Sequence, residues 1–158
     1  MISLRPVEEK DTIFIETVYR STREAELSLT NWTEQQKQAF IIMQSMAQLA
    51  DYKKNCPGAV YQIIVYDKKD AGRLYTWETV SEIRIMDISV LPRFQKKGIG
   101  THLMKELIKK SGKRNKKLSL HVEQNNPALK WYERLGFVYI KNNGRHHYME
   151  RMPAGNAF

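Results

Sequence analysis

Short alternating stretches separated by helical stripes place this 158-residue chain in the α/β class. The expected form is one domain with a mixed, mostly antiparallel sheet, a single central parallel strand pair and helices on both faces. Three observations predict it. First, the alternating stretches Ser81–Val90 and Leu118–Val122 are joined by an amphipathic helix, and a helical crossover joins parallel strands. Second, other strands meet across tight turns, with Asp70-Ala71-Gly72 as one tip and Asn142-Asn143-Gly144 as another, so they run antiparallel. Third, the alternation has a fault. Ile83 and Ile85 are apolar at odd positions, whereas Met86, Ile88 and Val90 are apolar at even ones. A one-residue slip reverses every later side chain unless a β-bulge absorbs it, here near Ile85–Asp87.

The elements follow in order. Met1–Pro6 is too short and too alternating for a secretory signal and reads as a first strand. Asp11 can cap a helix carrying Ile15, Val18 and Tyr19. A second helix starts near Thr33, which has capping-box spacing with Gln36. Ala39, Phe40, Met43, Met46, Ala47 and Ala50 form its apolar face, with Met43 and Met46 as core fillers, and Trp32 before it is a core or staple aromatic. The strand Tyr61–Tyr66 turns through Asp67–Gly72 into Arg73–Trp77. Pro92 stops the strand that begins at Ser81, and Ile99, Leu103, Met104, Leu107 and Ile108 then fall on one helical stripe. Lys113, Arg114, Lys116 and Lys117 form a solvated linker run. Asn125 and Asn126 can cap a further helix, with Ala128, Leu129, Tyr132 and Leu135 inward and Gly136 closing it. Phe137–Ile140 and His146–Met149 are the last strands; the domain spans residues 1–152 and 153–158 form a loose tail.

Charge narrows the function. The net charge is +9, but residues 1–90 carry 11 basic and 13 acidic side chains, a balance of −2, whereas residues 91–158 carry 15 and 4, a balance of +11. A basic half can hold a polyanion and a slightly acidic half can receive a cation. Nucleic acid satisfies the first condition alone and is disfavoured; a phosphorylated cofactor with an amine acceptor satisfies both. Cys56 is the only cysteine, which leaves no intramolecular disulfide or cysteine-based metal site and points to the cytoplasm. His146 and His147 are adjacent in a strand and face opposite ways, so they do not form a metal site. No apolar run is long enough for a membrane span.

The most informative stretch is Asp87–Thr101, in which a strand enters a basic turn with Gly98 and Gly100 and the turn opens a helix. Unpaired backbone amides at that helix start, glycines that admit a ligand, and the neighbouring Lys96 and Lys97 suit a phosphate or pyrophosphate. The pattern is not a P-loop, because no Gly-Lys-Ser/Thr follows, and not a Rossmann fingerprint, because Leu103 stands where a third glycine is needed. Gln-x-x-Gly-x-Gly after a strand and a proline resembles the coenzyme A pyrophosphate loop of the GNAT superfamily of N-acetyltransferases. Asn125-Asn126-Pro127-Ala128 through Tyr132 to Gly136-Phe137 resembles that superfamily's Asn-x-x-Ala-x-x-x-Tyr-x-x-x-Gly-Phe segment.

The resemblance implies acetyl transfer from acetyl-CoA to a primary amine, without a metal, on a sheet splayed at the bulge. A small-molecule or peptide amine is the acceptor, and a homodimer is compatible with it. Ile88 and Val90 would lie along the pantetheine arm. Gln95, Lys97, Gly98, Ile99, Gly100 and Thr101 would surround the pyrophosphate, and Lys96 would either join them or stay solvated. Asn125 and Ala128 would border the pantetheine, and Lys130 would reach the adenosine phosphate. Tyr132 would protonate the departing thiolate. Some members use a glutamate base on the bulged strand, but Arg84 stands at that place here. Glu82 and Asp87 are the nearby candidate bases, and His121 and Glu123 on the parallel strand could act through a water. Deprotonating a lysine-like ammonium at pH 7 costs about 4–5 kcal/mol, against about 2 for protonation-matched release of a thiol, so the base matters more for a strongly basic acceptor. The alternative is a non-catalytic acyl-CoA-binding or basic RNA-binding module of the same fold.

Overall fold

The computed structural model describes residues 1–153; residues 154–158 of the expected tail lie outside them. Its strands form one mixed sheet in the order β1-β2-β3-β4-β5-β7-β6, from β1 (Ile2–Pro6), β2 (Val60–Tyr66), β3 (Lys69–Glu78), β4 (Glu82–Val90), β5 (Lys117–Glu123), β6 (Val138–Asn142) and β7 (His146–Arg151). The helices are α1 (Thr12–Ser28), α2 (Glu34–Asn55), α3 (Ile99–Arg114) and α4 (Leu129–Arg134). The described residues fold as two compact units: Met1–Tyr75 with Asp87–Gly100, and Thr76–Met86 with residues 101–153.

In the first unit β1 runs antiparallel to β2, with Ile2 opposite Tyr66 and Pro6 opposite Gln62. Asp11 does not cap α1 with its side chain. Its carboxylate instead accepts from both terminal nitrogens of Arg5 at 2.9 Å and from the Glu8 amide at 2.8 Å, and the Arg5 guanidinium holds it down at about 2. Thr33 and Gln36 do form a reciprocal capping box at the start of α2.

Most of the apolar face expected of α2 points outward; of its residues Phe40 is half-buried, against Tyr19, Leu27 and Ile41. Met43 is 58% exposed and Met46 66%, so neither fills the core. Ile41 and Ser45 are buried instead, and the helix's Gln48 bonds a buried arginine, so its inner face is partly polar. Periodicity identifies a stripe but cannot say which stripe turns inward when a buried charge needs partners. Trp32 is 40% exposed and packs on Phe40 with ring centroids 5.2 Å apart, as a surface staple.

The β2–β3 turn also differs from expectation. Asp67 (φ 48°) and Lys68 (φ 70°) both take left-handed conformations, the signature of a two-residue hairpin turn. The turn therefore closes three residues early, and Asp70, Ala71 and Gly72 belong to β3. Gly72 is needed there. A Cβ at this position would stand 2.1 Å from the Ser89 carbonyl oxygen and 2.9 Å from the Val90 Cα. The Leu91 amide donates to the Ala71 carbonyl at 2.9 Å across the same approach. The end of β4 is thus pressed against β3 backbone to backbone.

In the second unit β4 runs parallel to β5 from Glu82 opposite Lys117 to Ile85 opposite Leu120. Among the described residues the ladder ends there, at the position where the alternation slips. Residues 118–123 of β5 pair antiparallel with β7 on their other side, Leu118 opposite Arg151 and Glu123 opposite His146. The α3 stripe is confirmed: Leu103, Met104 and Leu107 are buried, as are Ile83, Ile85, Leu118, Leu120, Val122, Phe137 and Met149. The charged linker is not merely solvated. Arg114 and Lys116 both bond Glu78, and these bonds hold its carboxyl down at about 2; Lys117 bonds Glu150 at 2.6 Å. The last hairpin closes over Asn143 and Gly144, with the Asn143 amide donating to the His146 carbonyl at 2.8 Å.

Gly72→Ala should lower stability by about 2–4 kcal/mol, because backbone rather than a movable side chain blocks the new methyl. Thermal unfolding should then show a Tm lower by roughly 5–15 °C, and a Tm within 2 °C of the parent would contradict the close approach.

Candidate active site

Within the first unit, the segment after β4 is built from the core outward. Leu91 is buried, Pro92–Phe94 make one 3₁₀ turn, and Phe94 is buried with its ring edge-on to Tyr66 at 6.2 Å. Gln95 then reaches back, its side-chain amide donating to the Val90 carbonyl at 2.9 Å. This ties the loop to the strand end. Lys96 (φ 62°) and Gly98 (φ 82°) both adopt left-handed backbone, a lysine doing so at some cost in strain. The loop then enters α3 at Ile99, whose side chain is only 2% exposed. Ile99 therefore anchors the first turn by its side chain and can offer a ligand only its main chain.

The first amides of α3 have no carbonyl one turn behind them, and the helix dipole adds positive potential there. Lys96, Lys97 and Thr101 are exposed and Gly100 is half-buried. A Cβ at Gly98 would meet nothing within 4 Å, so the loop is open above that residue. These residues fit the pyrophosphate of a coenzyme A. Ile88 and Val90 on the adjoining strand are half-buried, and the Val90 carbonyl already accepts from Gln95.

The same unit contains a buried cluster that the sequence reasoning missed. Arg73 is 2% exposed; its Nε donates to Asp87 Oδ2 at 2.5 Å and its Nη2 to Gln48 Oε1 at 2.9 Å. Its guanidinium lies 4.8 Å from the Tyr75 ring centre and 5.7 Å from that of Tyr19. Burial alone would push Arg73 down, and its pairing with Asp87 more than restores it, so the guanidinium remains charged. The Ser89 hydroxyl donates to the other Asp87 oxygen at 2.7 Å. Both oxygens of Asp87, a candidate base, are therefore engaged. An arginine amid Leu74, Tyr75 and Trp77 in a buried strand was the available signal.

The second unit places Glu82 and His121 on one face of the sheet, around Tyr148. Glu82 accepts from Arg84 Nη2 at 3.2 Å and lies 3.5 Å from the Tyr148 hydroxyl. The Tyr148 hydroxyl donates to Glu150 at 2.7 Å. The His121 ring packs on the Tyr148 ring at 5.0 Å, and its Nε2 is 3.4 Å from Asn143 Nδ2. His121 is exposed, but the packing of its ring on Tyr148 removes part of it from water, and this and then the positive charge of Arg84 push it below its ordinary value. A neutral imidazole is able to accept a proton. Glu123 is exposed on the same strand.

Farther along, Asn125 is exposed, and the side chain that caps the approach to α4 belongs to Asn126, whose Oδ1 accepts from the Ala128 amide at 2.8 Å. Ala128 is the N-cap position, and α4 has six residues, shorter than the expected span. Tyr132 is half-buried, its ring 5.1 Å from that of Trp131 and 5.8 Å from that of Phe137. Lys130 is exposed. Gly136 (φ 99°) ends the segment as expected. No group of three or more metal-binding side chains occurs among the described residues, and no described helix is long and apolar enough to cross a membrane.

Residues 15–137 match the family model described as the acetyltransferase (GNAT) family. No curated protein matches the chain in sequence. Among solved structures, it is similar to the paia N-acetyltransferase of Thermoplasma acidophilum in complex with coenzyme A, with TM-score 0.71, 18% identity and coverage of 96% of this chain and 99% of that one. It is also similar to the ribosomal-protein-S18-alanine N-acetyltransferase of Escherichia coli, with TM-score 0.64, 20% identity and coverage of 100% and 99%. A third is the spermidine N-acetyltransferase of Vibrio cholerae in complex with CoA and spermine, with TM-score 0.63, 20% identity and coverage of 97% and 96%. At these identities the likeness establishes the fold.

Gly98→Val puts a β-branched side chain at positive φ in the open space over the loop. It should weaken CoA binding at least ~tenfold in a calorimetric titration while costing only about 1–2 kcal/mol of stability; undiminished CoA affinity in the folded variant would rule out the loop as the anion site.

Proposed function

This chain belongs to the acetyltransferase (GNAT) family, and we propose that it moves an acetyl group from acetyl-CoA to a primary amine by direct attack on the thioester. Acetyl-CoA is the donor of this N-acetyltransferase. The observation that carries the proposal is the loop before α3, where left-handed Lys96 and Gly98 lead into a helix start above open space. Bound there, the cosubstrate supplies an activated acyl group and a thiolate leaving group.

The chain's own residues supply the rest. Main-chain amides of Gly98–Thr101 hold the pyrophosphate, and Lys96 and Lys97 add charge. Ile88 and Val90 line the arm, with Asn125 and Ala128 at its border and Lys130 toward the adenosine phosphate. His121 takes the proton from the amine, through water where the acceptor stands off. That step offsets part of the roughly 4–5 kcal/mol needed to neutralise a lysine-like ammonium at pH 7. Tyr132 returns a proton to the sulfur. Asp87, committed to Arg73 and Ser89, holds β4 in place, and Glu82 supports the face that carries His121.

The acceptor is a cationic small molecule or peptide amine, met by the net negative charge of residues 1–90. The protein works in the cytoplasm, with residues 1–152 as its catalytic domain.

Free-thiol release on mixing with acetyl-CoA and a panel of primary amines tests this directly. Thiol should appear only when a competent amine is present. For that amine, kcat should fall on the acid side with a midpoint below ~6.5, the ordinary imidazole value, because His121 must be neutral to act. His121→Gln should lower kcat about 100-fold and abolish that limb. Full activity in the variant would remove His121 as the base.

A further inference from the structure

We propose that Arg84 is a positioning residue for His121: clamped on the same tyrosine that supports the imidazole, it fixes a permanent positive charge on that face of the sheet and keeps His121 ready to receive a proton. This rests on the assignment of His121 as the base.

The geometry begins with the ladder. Arg84 of β4 lies opposite Ser119 of β5, and His121 follows two residues later, on the same face of its strand. The guanidinium is fixed from several sides. Its carbon lies 5.6 Å from the Trp77 ring centre and 6.0 Å from that of Tyr148, while Nη2 donates to Glu82 at 3.2 Å. The side chain of Arg84 is 27% exposed, so its charge is only partly screened. The tyrosine beneath it is equally fixed, since its hydroxyl donates to Glu150, which Lys117 holds at 2.6 Å. His121 rests on that same ring at 5.0 Å.

The charges around the imidazole come from three strands. From β4 come Arg84 and the carboxylate of Glu82; from β6 comes Lys141, its Nζ 5.7 Å from the Tyr148 ring centre; from β7 come His146 and the neutral phenol of Tyr148. Glu123, two residues on in β5, is exposed. Glu82 opposes the cations but is itself bonded to Arg84, so positive charge prevails. A carboxylate at position 84 would reverse that balance. The residue that departs from the motif's glutamate is thus suited to a base that sits on the neighbouring strand and must shed its own proton.

The test follows the imidazole itself, by NMR titration of the His121 signal, identified by its loss in His121→Gln. Arg84→Gln should move the titration midpoint to higher pH, and Arg84→Lys should keep it near the parent value. In kcat, Arg84→Gln should lose about threefold more at pH 6 than at pH 8.5, and Arg84→Lys should restore most of that difference. A purely structural role would lower activity evenly across pH and leave the imidazole midpoint in place; that result in a folded variant overturns the proposal while leaving His121 as base intact. Full activity of His121→Gln would instead overturn the base assignment, and the proposal with it, whatever the titration shows. Should Arg84→Gln fail to fold, the parent protein still decides: raising the salt concentration to ~1 M should raise the His121 midpoint by screening the surplus cations, and a salt-independent midpoint overturns the proposal.

Discussion

The constraint on which the rest depends is that β4 keeps its parallel partner for only part of its length. Its first four residues make the parallel ladder with β5, ending at Ile85 opposite Leu120. Farther along, its backbone at Ser89 and Val90 is pressed so closely on Gly72 of β3 that no side chain fits there. A sheet strand paired on both edges for its full length would have its hydrogen-bonding groups consumed by the ladder. Here the parallel ladder with β5 stops at Ile85, where the alternation slips, so the end of the strand is released from that ladder, and the glycine at position 72 lets it approach β3 closely.

That release gives the following loop its setting. Leu91 and Phe94 bury the turn after β4, Gln95 ties it back to Val90, and Ile99 pins the start of α3. What remains is main chain: amides at a helix start, reached through a loop in which Lys96 and Gly98 are left-handed. Binding an anion by fixed backbone donors requires little reorganisation when the ligand arrives, and the charge is met by dipoles held in place by the core. The buried Arg73–Asp87 pair belongs to the same logic. An ion pair of this kind adds little net stability, but removing one partner would strand a buried charge, so it locks α2, β3 and the end of β4 into one arrangement.

The parts legible from sequence were those set by near neighbours. The α3 stripe, the Thr33–Gln36 box, the Asn143-Gly144 hairpin and the glycine loop each carry their instructions within a dozen residues. The parts that were not legible depend on distant partners. Most of the apolar stripe of α2 faces outward because Gln48 on another face is needed by Arg73, which is 25 residues away in sequence. Gly72 looked like a turn tip because its real reason, the carbonyl of Ser89, comes 17 positions later, and nothing local announces it. Lys116 and Arg114 looked idle because their shared carboxylate, Glu78, lies in an earlier strand. Arg84 could be seen as a departure from the motif, but its clamp of Trp77 and Tyr148 exists only once three strands are aligned.

Amide hydrogen exchange with and without CoA examines the central claim most directly. If the end of β4 and the loop beyond it are the main-chain grip for the cosubstrate, amides within residues 86–101 should gain protection when CoA is added, while those of residues 82–85, already in the parallel ladder, should exchange slowly in both states. Saturating CoA that leaves exchange across residues 86–101 unchanged would contradict the account.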